Sequence, residues 1–181
     1  MKKAKQITGL LAIALSLFLS TNTQAQDASA DNYDQGFRFG FGANAGVAVN
    51  DPYDFALGAD ARLQYDISQR YSFVLTTGFT NLFAGDNVKD LGFIPAKVGF
   101  KAFVWEDRFY VLAEAGAAFA VTNGYDKTSL ILAPGIGYAN KSFDLSLRYE
   151  HYNDFPKFNS NGTVGEGIGQ IAVRMAYGFK I

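Results

Sequence analysis

An alternation of period two runs through this chain eight times and keeps one side of every repeat free of charge. In the first run, 37–47, Phe37, Phe39, Phe41, Ala43, Ala45 and Val47 alternate with Arg38, Gly40, Gly42, Asn44 and Gly46. Successive side chains of a strand point to opposite faces, so this is a strand with one apolar and one polar side. Seven further runs follow at 55–67, 71–81, 93–104, 108–121, 129–138, 143–152 and 168–181. In the second, Leu57, Ala59, Ala61 and Leu63 oppose Asp60, Arg62 and Gln64; in the seventh, Leu145, Leu147 and Tyr149 oppose Asp144, Arg148 and Glu150. The apolar sides hold about 50 positions with no Asp, Glu, Lys or Arg, where a composition 18% charged would place about nine.

A soluble sandwich also alternates, but it tolerates charge at strand ends and uses strands nearer five or six residues long. Runs of this length match the roughly 9–11 residues of a tilted transmembrane strand. Backbone groups in lipid must all be paired, so the strands have to close without an edge. Bacterial single-chain barrels have an even strand number starting at eight. The expected fold is therefore all-β: a closed eight-stranded antiparallel up-and-down transmembrane β-barrel, placed in the outer membrane of a Gram-negative bacterium.

The start of the chain reads as a secretory signal peptide over 1–25. Lys2, Lys3 and Lys5 precede an apolar run from Ile7 to Leu19 and a small-residue exit at Thr23 and Ala25, with Ala30 as a second cleavage position. A polar lead, 26–35, then precedes a barrel over 36–181. Loss of the leader removes three lysines and leaves an acidic chain, so no nucleic-acid partner is expected. The absence of Cys excludes disulfides, thiolate metal sites and cysteine nucleophiles, and a single His excludes a multi-histidine metal centre. No cofactor is expected.

With the N-terminus in the periplasm, the links Ser68-Gln69-Arg70, Trp105-Glu106-Asp107 and Ala139-Asn140-Lys141-Ser142 are periplasmic and tight. The outer links at 83–90 and 153–167 read as longer loops, the asymmetry of outer-membrane barrels. Aromatics fall into an inner belt (Phe37, Tyr65, Tyr71, Phe73, Phe109, Phe143) and an outer one (Phe55, Phe79, Phe119, Tyr149).

On these features the chain resembles the small eight-stranded outer-membrane barrels, the family of the OmpA membrane domain and OmpX, and is similar to the generic outer-membrane barrels of Bacteroidetes. The closing Tyr177, Phe179 and Ile181 resemble the alternating C-terminal signal read by the outer-membrane assembly machinery, although the last residue is Ile and not Phe. The resemblance implies an assembly partner of that kind and contact with outer-membrane lipids or lipopolysaccharide. It covers nearly all of the mature chain, and no peptidoglycan-binding module is expected.

Arg38, Asp60, Arg62, Lys97, Lys101, Glu114, Arg148, Glu150 and Arg174 lie on the inward parity near mid-height. Eight strands leave an interior that side chains fill, so these nine are expected to form a paired network plugging the barrel. Mixed sign argues against a narrow pore, and few apolar inward residues argue against an apolar cavity. A third reading rests on His151, at the outer rim on the lipid-facing parity. Its position is similar to that of the lipid A deacylases, whose motif has Ser two residues after the His; Asn153 stands there and cannot be a nucleophile. Ser160 is the nearest serine. Asp51, Asp54, Asp86, Asp90 and Asp126 are outer acids whose spacing matches no EF-hand. The expected function is structural or surface-interacting and non-enzymatic.

Overall fold

A computed structural model describes residues 36–85, 88–105, 108–122, 127–158 and 164–181, with the side chains of Phe158 and Val164 excepted. The expected leader and polar lead, Asp86, Glu106, Asp107, Asp126 and Ser160 lie outside these residues. Eight strands follow one another: β1 Gly36–Ala48, β2 Tyr53–Asp66, β3 Tyr71–Ala84, β4 Leu91–Trp105, β5 Phe109–Ala120, β6 Thr128–Ala139, β7 Phe143–Phe158 and β8 Val164–Lys180. Each pairs antiparallel with the next, and β1 pairs with β8, so the sheet is a closed barrel with strands in sequence order.

The alternation decides the faces. Outward positions such as Phe73, Leu75, Val98, Val111, Ile136, Leu147 and Val173 are exposed, Val98 at 63%, while their neighbours in sequence are buried or half-buried. Tight turns gather at the end where β1 begins and β8 ends, the terminal end of the barrel. In one, the Ser68 hydroxyl accepts from the Arg70 and Tyr71 amides at 3.3 and 3.1 Å. In another, the Asn140 side-chain oxygen accepts from Ser142 and Phe143 at 3.0 and 2.8 Å. Such side chains mimic backbone acceptors and fix short reversals.

At the opposite, loop end, the strands run further than the alternation indicates. The link expected as a long loop at 153–167 is mostly strand: β7 continues to Phe158, β8 begins at Val164, and Lys157 pairs with Gly165. A register shift between Tyr152 and Pro156 reverses the parity there, so Phe155 points inward where strict alternation puts it outward. The link expected at 83–90 shrinks similarly, because β3 reaches Ala84 and β4 starts at Leu91.

Two prolines inside strands interrupt the ladder. Between β3 and β4, Thr77 pairs with Ala96 and Thr80 with Phe93, but nothing pairs at Gly78, Phe79, Ile94 and Pro95. Between β6 and β7, Leu132 pairs with His151 and Gly135 with Arg148, but nothing pairs at Ala133, Pro134, Tyr149 and Glu150. Proline has no N–H to give to a neighbouring strand, so each gap sits where the ring does.

Candidate functional site

The barrel interior is where buried polar chemistry concentrates, and it has two zones. Through the middle, five buried cations (Arg62, Lys97, Lys101, Arg148 and Arg174) face the carboxylates of Asp60, Glu114, Asp144 and Glu150. Glu114 on β5 is the hub. Its Oε1 accepts from Arg62 Nη2 at 3.1 Å and Thr76 Oγ1 at 2.7 Å, and its Oε2 accepts from Arg148 Nη1 at 3.2 Å, with Lys97 Nζ at 3.7 Å. Lys97 donates to Glu150 at 2.8 Å; Tyr152 donates to the other oxygen of Glu150 at 2.7 Å and accepts from Gln170 at 2.8 Å. Arg174 Nε reaches both oxygens of Asp60 at 2.9 and 2.8 Å.

Nearer the terminal end, Asp144 accepts from Lys101 and Tyr110, both at 2.6 Å, and the Lys101 ammonium lies 4.1 Å from the centre of the Tyr110 ring. Gly137 makes room for that ring, since a Cβ there would overlap Tyr110. Ions removed from water hold their charge at this depth only when paired and hydrogen-bonded. Eight of the nine residues singled out by parity stand in these contacts. Arg38 stands apart: it pairs with Asp66 at 2.6 Å near the terminal end, and its side chain is 40% exposed, so it is not at mid-height. The nine leave out Asp66, Asp144, Thr76, Tyr110, Tyr152 and Gln170, although all six share the inward parity of their strands. Asp144, Tyr110 and Tyr152 all sit on the polar side of their runs, and that was the available signal; the two tyrosines are uncharged and a search for charges passes them over.

The second zone overturns the expectation of few apolar inward residues. At the loop end, Tyr53, Leu82, Leu91, Phe93, Ile131, Tyr152, Phe155 and Ile168 form one buried core. Phe93 packs edge-on against Tyr152 with ring centres 5.0 Å apart, and Tyr152 stacks on Phe155 at 5.3 Å. Outside this core the surface is mixed: Asp54, Asn153 and Glu166 are exposed and Lys127 pairs with Glu166 in the open at 3.3 Å, while Phe55, Ile94 and Leu130 are exposed as well. The interior thus changes character along the axis. Through the middle an apolar outside surrounds a charged inside, and toward the loop end the inside turns apolar while polar residues join the outer surface. A charged interior behind an apolar outer surface is the arrangement that suits lipid.

His151 projects from β7 at the boundary between the zones. It stacks with Tyr149 at 6.4 Å, and Gly167, held at a φ of +98°, lies beneath it. Among the described residues no serine or carboxylate hydrogen-bonds to it, and Asn153 is exposed one step above. Nor do three His, Asp or Glu side chains gather anywhere among the described residues as a metal site requires.

A closed eight-stranded antiparallel barrel with an apolar belt is the architecture of the small transmembrane β-barrels of outer membranes. No protein-family model and no curated protein matches the chain. Among solved structures it is similar to the N-terminal β-barrel domain of Pseudomonas aeruginosa OprF (9% identity, TM-score 0.55, covering 81% of this chain and 100% of that one). It is also similar to Ail, the attachment invasion locus protein of Yersinia pestis (15% identity, TM-score 0.51, covering 81% and 100%), and to a de novo designed transmembrane β-barrel (15%, 0.50, covering 80% and 97%). At these identities the likeness is one of fold.

Proposed function

We propose that this chain is an integral outer-membrane barrel with a structural or surface-interaction role, non-enzymatic, its termini in the periplasm and its loop end outside the cell. The observation that carries the reading is the inverted packing. A charged interior of paired ions lies inside the apolar belt, and a buried apolar core lies at the loop end. Such an interior resists deformation and offers no one-signed ring to conduct ions. What is left for contact is the outer surface: the apolar belt toward lipid, and the polar wall of β7 and β8 toward water. Outer-membrane lipids, lipopolysaccharide included, are the proposed partners of the belt. The assembly machinery is the proposed reader of Tyr177, Phe179 and Ile181, which are all exposed at the terminal end of β8.

Mass spectrometry of lipid A from cells with and without the protein, and with a His151→Ala variant, tests this reading against a lipid-modifying role. Acyl chains unchanged in all three are expected. Loss of a chain that depends on His151 would make the rim an enzyme site and overturn the proposal.

A further inference from the structure

The gap between β6 and β7 adjoins a hollow on the lipid face, and the two together fit one kind of ligand. Reading across the strands, one outward row runs Phe73, Phe100, Ala113, Pro134 and, beyond the gap, Tyr149 and Ile171. The next row runs Leu75, Val98, Ala115, Leu132, His151 and Gly169. Small side chains in the middle of both rows, with Phe73 and Phe100 at one end and Leu132 at the other, leave an apolar hollow of about 580 Å3. Because strands in such barrels are tilted, a row across them climbs through the bilayer. This one rises from the aromatic belt of the terminal end toward the belt at the loop end.

Pro134 borders the hollow and also belongs to the gap. By register it lies opposite Tyr149, and the ladder lapses where a missing proline N–H would have been aimed at the Tyr149 carbonyl. In hydrocarbon no water replaces that donor, and an unmet acceptor is costly there. At the companion gap by Pro95 the outward positions are the full-sized side chains of Phe79 and Ile94.

We propose that this hollow holds one acyl chain of a lipid from the leaflet at the loop end, and that it selects a chain bearing a hydroxyl close to its head-group linkage. The hydroxyl supplies the donor that Pro134 withholds from the Tyr149 carbonyl. The tail lies over Pro134, Ala113 and Ala115 toward Phe100, and the head group sits by His151, two residues and so about 7 Å further along β7. The inference rests on the membrane reading above and names the lipid chemistry for its apolar belt.

The test is native mass spectrometry of the full, folded chain released from phosphatidylcholine vesicles. The vesicles contain equal amounts of N-(3-hydroxymyristoyl)- and N-myristoyl-phosphatidylethanolamine. The hydroxylated lipid should be retained about three- to tenfold over the plain one, the range one added hydrogen bond supplies. Pro134→Ala restores a backbone N–H, and it should bring that ratio to one while the lipids stay bound. Ala115→Phe fills the hollow and should reduce retention of both. Equal retention of the two lipids by the unaltered protein, or an unchanged preference in Pro134→Ala, would overturn the proposal and leave the membrane reading standing. Failure of the chain to enter vesicles at all would overturn both.

Discussion

Glu114 shows how much depends on single side chains in this interior. Three charged donors and a threonine converge on one carboxylate with no solvent exposure. Glu114→Gln leaves Arg62 and Arg148 buried beside a neutral amide, and removing one partner of a buried ion pair costs about 3–5 kcal/mol. The urea unfolding midpoint of the detergent-folded protein, followed through its only tryptophan, Trp105, should fall accordingly. A midpoint within experimental error of the parent would mean that the network contributes little. Gly137 makes the complementary point about space. An added methyl must displace Tyr110 and with it the hydrogen bond to Asp144, so Gly137→Ala should lower the unfolding free energy by about 1–3 kcal/mol, as overpacking does, and the same midpoint with it.

Strands in this barrel obey different rules at their two ends. Along β4 and β7 the outward positions Val98 and Leu147 lie in the apolar belt, whereas Asn153, on the same side of β7, lies above it. Arginine at the bilayer midplane costs about 2–4 kcal/mol and near the interface little. Val98→Arg and Leu147→Arg should therefore abolish the heat-shifted gel band of the folded barrel, and Asn153→Arg should preserve it. If all three behave alike, the boundary drawn between the zones is misplaced. Beyond that boundary the period-two pattern also loses its grip. The register shift at Tyr152 and Pro156 and the glycines Gly165, Gly167 and Gly169 conceal strands that tertiary pairing nevertheless extends.

For the molecule as a whole, the two ends should meet different compartments. The chain has no cysteine, so single introduced thiols report cleanly. Asn153→Cys, exposed at the loop end, should react with a membrane-impermeant maleimide in intact cells. Gln69→Cys, in a tight turn at the terminal end, should react only after the outer membrane is permeabilised. The reverse pattern would turn the barrel upside down. Both thiols silent in intact cells would place it in another membrane or off the surface.

Charge-free alternation, repeated eight times, was enough by itself to determine the strand count, the closure, the facing of nearly every side chain and the inward set from Asp60 to Arg174. Each of these follows from a local rule: side chains alternate, lipid excludes charge, and paired backbones cannot leave an edge. Pairings inside the barrel were not legible, since Arg62 meets Glu114 and Arg174 meets Asp60 across intervals of 52 and 114 residues that no local pattern spans. The apolar cap was hidden for a related reason. Phe93, Phe155 and Ile168 are buried only because the sheet closes around them at the loop end, where the inward residues turn from charged to apolar. A residue's parity can be read along one strand, but which of the two environments it enters is decided by how high the closed barrel carries it.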